Sequence, residues 1–212
     1  MFKFSSKTVV DRRFKITDLY KQMSASKDAR KDGTVIESVV LKNVLSPTTL
    51  YCDADKSIKE IYVFEITVKE RYVPETFIKE LDKSIKLHTL FTVKHEDYKL
   101  SMLSYKLGTQ KGKYWQTNWE NDDAFDVPLV NSIPEMYKYI LSKFLTYPPF
   151  DSESVDEYVK RHNQLAKLDF QISKTESAIA HETQSKKRFE YNARLKEYKA
   201  EKENLLRGEI NG

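Results

Sequence analysis

A metal-dependent nuclease of the restriction-endonuclease type needs carboxylates on adjacent strands to hold Mg²⁺, beside a lysine that assists the attacking water. Asp53, Asp55, Glu65 and Lys69 come closest to that set here. Two aspartates precede an apolar strand that carries Glu65, and a helix follows. The spacing then departs from the pattern. Thr67 stands where a lysine belongs, and Lys69 comes one pleat later. Strand alternation keeps Glu65, Thr67 and Lys69 on one face. A rise of about 3.3 Å per residue nevertheless puts roughly 13 Å of backbone between Glu65 and Lys69. That is too far for direct cooperation, so a half-buried Glu65 satisfied by a neighbouring cation explains these residues better.

Other chemistries fail on counting. Gly108-Thr109-Gln110-Lys111-Gly112-Lys113 is one residue short of a G-x-x-x-x-G-K phosphate loop, and Tyr114 replaces its magnesium-binding Ser or Thr. A hairpin turn is the simpler reading. The whole chain has 5 Gly, where average usage gives about 15. His88, His95, His162 and His181 never form H-E-x-x-H. Cys52 is the only cysteine, which forbids an internal disulfide or a multi-cysteine zinc site and suits a reducing, cytoplasmic setting. No metal and no cofactor is expected.

Nucleic-acid contact has a softer basis. Cations could meet phosphates at Lys186-Lys187-Arg188 and around Lys27, Arg30 and Lys31, and Tyr114, Trp115 and Trp119 on one strand could stack on bases. The net charge of +4, with 32% charged residues, is compatible with such a role without establishing it. Residues 155–212 carry 12 Lys+Arg and 10 Asp+Glu, interspersed as on an ordinary solvated helix.

The elements that must hold these residues divide at Pro148-Pro149. The chain has 212 residues, 40% of them hydrophobic and 12% aromatic, enough to build a core. No apolar run approaches the ~20 residues that span a bilayer, and the start lacks a signal-like apolar stretch. Residues 1–147 read as an α+β domain with a mixed sheet covered by helices, residues 151–207 as a helical tail, and residues 208–212 as a disordered end. A polar arm comes first, then a short helix over Thr17–Met23 with Thr17 as its N-cap. Strands are expected at Thr34–Leu45 and Ile58–Lys69, the second apolar on both faces and so central. Pro74 opens a helix at its first position, with Phe77, Ile78, Leu81 and Ile85 inward. A strand over Leu87–Val93 completes a βαβ unit. Strands at Tyr98–Leu107 and Lys113–Trp119 form a meander, with Trp115 and Trp119 on one face. An acidic loop (Glu120, Asp122, Asp123, Asp126) leads to a capping box at Ser132-Ile133-Pro134-Glu135.

A second capping box, Ser154-Val155-Asp156-Glu157, opens the tail, which has no Pro or Gly until Gly208. Val155, Tyr158, His162, Leu165, Ile172 and Ile179 share one stripe; Tyr191, Leu195, Tyr198 and Leu205 share another that is out of phase with it. Such a slip marks either a coiled-coil discontinuity or an antiparallel hairpin. Thr183-Gln184-Ser185 are modest helix formers at the slip and favour the hairpin, while the missing Gly and Pro argue for one helix. Leu165, Ile172, Ile179, Tyr191, Leu195, Tyr198 and Leu205 are the expected interaction residues. The seam is thin, with His162 and Thr175 at positions that want apolar residues.

Several segments carry a resemblance over most of the chain: the turn Leu45-Ser46-Pro47-Thr48-Thr49, the strand Glu60-Ile61-Tyr62-Val63-Phe64-Glu65-Ile66, the helix end Leu81-Asp82-Lys83-Ser84-Ile85, Leu90-Phe91 and Tyr114-Trp115-Gln116-Thr117-Asn118-Trp119. In this order, with a charged coiled-coil tail, the chain resembles a bacterial family of unknown function. Its genes are often found beside helicases and DNA methyltransferases in restriction-type defence islands. Thr48 stands where that family commonly has Glu. The resemblance implies helicase or DNA methyltransferase subunits as partners and carries no catalytic residues. Three functions are therefore expected in descending order: a non-catalytic accessory subunit, with a homodimer through the tail possible; a genuine or degenerate nuclease on Asp53, Asp55, Glu65 and Lys69; and a DNA-binding module using Lys186, Lys187 and Arg188.

Overall fold

The computed structural model describes residues 2–53, 55–107, 112–121, 125–128 and 130–208. The expected turn at Gly108–Lys111, Asp122 and Asp123 of the acidic loop, and the expected end beyond Gly208 lie outside the described residues. The chain divides into two compact units, Met1–Phe144 and Leu145–Gly212.

The first unit is α+β around a mixed six-stranded sheet. Its strands are β2 (Val9–Phe14), β3 (Ile36–Leu45), β4 (Ile61–Val68), β5 (His88–His95), β6 (Tyr98–Tyr105) and β7 (Lys113–Gln116), laid side by side in that order. Every neighbouring pair is antiparallel except β4 with β5. The parallel pair requires a crossover, supplied by α4 (Glu75–Ser84). β1 (Phe2–Lys3) pairs separately with β8 (Phe125–Asp126).

Alternation sorts the side chains into two layers. Phe64, Ile66 and Val68 of β4, Phe91 and Val93 of β5, and Leu100 and Met102 of β6 share one core with Phe77, Ile78 and Leu81 of α4. Leu19 of α1 (Ile16–Gln22) joins them. On the opposite face lies α5 (Ile133–Ser142), whose Tyr137 ring packs edge-on against His88 and whose hydroxyl donates to the Ser104 carbonyl at 2.6 Å. Helices on both faces explain why β4 is apolar on both sides.

Several local expectations need correction. Thr17 does not cap α1; the helix starts one residue earlier, with Lys15 at the N-cap and no side-chain cap bond. Pro74 occupies the N-cap of α4 rather than its first turn. Cap bonds come instead from Asp32, at the end of α2 (Lys27–Asp32), which accepts from the Thr76 and Phe77 amides. Ser132 caps the Glu135 amide, but the Glu135 carboxylate takes the Asn131 N–H, leaving that capping box half formed. Thr34 and Val35 belong to a 3₁₀ turn before β3, and the expected turn at Ser46-Pro47-Thr48-Thr49 is a short helix, α3 (Pro47–Leu50), capped by Ser46. β7 stops at Gln116, so Trp115 and Trp119 do not share a strand face: Trp115 meets Tyr105, while Trp119 packs against the core beneath α4. The polar arm contributes β1 and the edge strand β2.

The second unit is a helical hairpin. α6 (Val155–His181) and α7 (Ser185–Arg207) are separated by Glu182, Thr183 and Gln184. The Ser154–Glu157 capping box closes in full. Chain direction reverses where the apolar stripe changed phase. Two ion pairs tie the antiparallel helices, Asp169–Lys202 at 2.5 Å and Glu176–Lys199 at 2.8 Å.

Candidate functional site

Helix α7 exposes most of its surface. None of its 23 residues is fully buried; the half-buried ones include Tyr191, Leu195, Tyr198, Lys202 and Leu205, at the spacing of one stripe. On α6, Leu165 is buried and Ile172 and Ile179 are half-buried. All seven residues are thus at least half-buried, but on α6 Val155, Tyr158, Val159, Arg161 and Leu168 are buried more fully than Ile172 and Ile179. Elsewhere on the two helices, Phe170 of α6 is 68% exposed and Phe189 of α7 is 76% exposed. Lys186, Lys187 and Arg188 lie at the start of α7, exposed to solvent.

The base of the hairpin is rigidly built. Arg161 lies over the Phe150 ring at 4.0 Å and bonds both Glu153 oxygens, at 2.7 and 2.8 Å, and the Pro148 carbonyl. Buried charge paired in this bidentate way fixes geometry strongly. Tyr147 donates to Asp169, and the same carboxylate holds Lys202. These bonds hold the Asp169 carboxyl below its usual range, while burial and then its bond to Asp169 push the Tyr147 phenol up. A cavity of ≈ 500 Å³ opens beside Phe150, Arg161, Gln164, Asn204 and Leu205.

The four residues of the nuclease pattern have separate bonding roles. The Asp53 side chain is exposed, and its amide donates to the Asn131 carbonyl. Asp55 accepts from the Ser57 amide at 2.6 Å and from the Ser57 hydroxyl, which lower its pKa. Glu65 is half-buried on β4, with Val40 of β3 and Thr92 of β5 as its ladder neighbours. Lys69 lies past the end of β4 and donates to the Thr34 carbonyl at 2.8 Å. Lys42 is held above the ordinary lysine range chiefly by its 2.5 Å pair with Asp11, with a smaller push from the charge of Glu65. Among the described residues, no three His, Cys, Asp or Glu side chains converge as a metal would need. Burial, followed by the charge of Asp53, pushes the Cys52 thiol up and away from the reactive thiolate.

The most concentrated polar chemistry surrounds Asp82, which is not among the expected site residues. Asp82 is 2% exposed at the end of α4. Its carboxylate accepts from Thr89, from Ser104 at 2.8 Å and from Tyr114 at 2.6 Å, and it pairs with Lys106 at 2.7 Å. The Lys106 ammonium also meets the carbonyls of Asp82, Ile85 and Leu87. Burial, then the bond to Asp82, pushes the Tyr114 phenol far up. The group locks the α4-to-β5 crossover onto β6 and β7. A polar residue on the inner stripe of a predicted helix was the available signal, since such a residue must find partners.

No helix among the described residues is long and apolar enough to cross a membrane. No curated protein and no solved structure matches the chain. Residues 2–201, nearly the whole of both units, match the family model described as "Domain of unknown function (DUF4391)", and the chain belongs to that family.

Proposed function

We propose that this chain is a non-catalytic accessory or assembly subunit of a DNA-processing complex of the restriction-modification or anti-phage defence kind. It docks through the α+β body and the hairpin onto helicase or DNA methyltransferase subunits. One observation carries the reading: a 23-residue helix spends a single stripe on its neighbour and leaves the remaining faces, with Phe189, open to solvent. Exposed aromatic side chains on rigid helices are effective anchors for a partner, because they bury much area at small entropic cost.

The test is purification of the tagged full chain from its native host, followed by identification of any helicase or DNA methyltransferase subunits that come with it. The wild type retains one of them through purification, and Phe170→Asp/Phe189→Asp loses it while keeping its melting temperature. The same preparations are assayed for Mg²⁺-dependent cleavage of plasmid and linear DNA, with no cleavage expected. Cutting that Glu65→Gln abolishes would replace the assembly reading with the nuclease one.

A further inference from the structure

The positive charge of the molecule is concentrated at one sheet edge. Residues 12–31 hold seven cations, Arg12, Arg13, Lys15, Lys21, Lys27, Arg30 and Lys31, against the two carboxylates of Asp18 and Asp28. This net of five positive charges exceeds the +4 of the entire chain. The fold keeps these residues together. β2 and β3 are antiparallel neighbours, so residues 15–35 connecting them, including α1 and α2, belong to one end of that edge pair. All seven cations are exposed. None of them is ion-paired among the described residues, whereas Lys42, Lys79, Lys106, Lys160 and Lys202 each hold a carboxylate.

Three neighbouring counter-charges are engaged elsewhere. Asp11 sits in a β2 bulge with φ of 49° and pairs with Lys42; Asp32 is buried under α4; Glu80 accepts from the Ser26 amide. Two guanidinium groups are stacked on rings, Arg12 over Phe14 and Arg30 over Tyr20, each at 5.1 Å. Those rings hold their cations on rigid elements, so less side-chain freedom is lost when an anion binds.

We infer that β2, α1 and α2 form a contact surface for the phosphate backbone of nucleic acid. A dense group of unpaired cations on a rigid frame gains free energy from releasing the counterions of a polyanion, with no requirement for base sequence. The surface uses no hairpin residue, so its test does not depend on Phe170 or Phe189. It also differs from the Lys186-Lys187-Arg188 cluster expected from the sequence, where Glu182 and Glu190 dilute the charge.

The full chain is titrated into a fluorescently labelled, mixed-sequence DNA duplex at several salt concentrations. Arg12→Gln/Arg13→Gln/Lys31→Gln is expected to weaken binding about tenfold or more and to reduce the log–log salt slope by about three. Lys186→Gln/Lys187→Gln/Arg188→Gln should leave the affinity within about twofold of wild type, as expected for charges outside the contact. Circular dichroism melting checks the fold, and Lys21→Gln/Lys27→Gln/Lys31→Gln serves as a second variant with β2 untouched. The inference is overturned if the wild type fails to bind duplex at about 50 mM salt, where phosphate contacts are strong. An equal loss from the hairpin triple overturns it too. Polyglutamate binding as tightly as the duplex would point instead to an acidic protein partner.

Discussion

At the scale of single residues, the molecule invests its polar chemistry in structure. Asp82 and Lys106 are both withdrawn from water and complete each other's bonding, so removing one partner strands the other. Asp82→Asn keeps the volume and loses the charge; it should destabilise the fold by about 3–5 kcal/mol. In denaturant melts the double variant Asp82→Asn/Lys106→Met should lose less than the sum of the singles, because the two residues act as one unit. His88 gives a pH signature. It is 7% exposed, its Nε2 has no hydrogen-bond partner among the described residues, and burial, then the charge of Lys106, lowers its pKa to about 4, with Asp82 opposing. In the unfolded chain it titrates near 6.5. The folded state therefore binds fewer protons, so the stability held above pH 6.5 is lost as pH falls toward about 4. The full loss is roughly 3 kcal/mol. Denaturation of wild type and His88→Phe at matched pH values isolates this contribution: the wild type should lose more stability than the variant between those limits.

At the scale of elements, periodicity was the legible part. β4, β5 and β6 fall within a few residues of their expected ranges, and α4 and α5 start next to the expected Pro74 and Ser132, because each presents a sustained apolar stripe to a packed layer. The phase slip near Gln184 was likewise a true turn. Short polar elements were illegible for the opposite reason: β2 reads VVDRRF and α2 reads KDARKD, and both owe their form to neighbours rather than to pattern. Asp82 escaped notice because its partners come from three later segments that only the fold assembles. The hairpin itself makes a testable element. With a single half-buried stripe, α7 should open locally at lower free energy than the core strands. Hydrogen exchange of the full chain should show α7 amides exchanging well before those of β4 and β5. Leu195→Asp should accelerate α7 further while leaving the strands unchanged; uniform protection of α7 and β4 would contradict this.

At the scale of the whole molecule, the α+β class was legible in the sequence, while the proposed docking surfaces leave no periodic pattern of their own. The order of the sheet carries a further consequence, for how the chain reaches its fold. Each strand of this sheet after β2 lies beside its predecessor in the chain, so no strand has to be threaded between two already paired. Local pairing of this kind limits the loop-closure entropy that slows sheet formation. One step is more demanding, the β4–α4–β5 crossover, since its parallel pair forms only after the helix has been laid across the sheet. The bond network of Asp82 draws on residues from α4 through Tyr114 and thus becomes complete only once β7 is in place. A ribosome releasing this chain from its N-terminus could add strands one at a time. The pairing of β1 with β8, which joins residues 2–3 to residues 125–126, would be the late closure that seals the first unit.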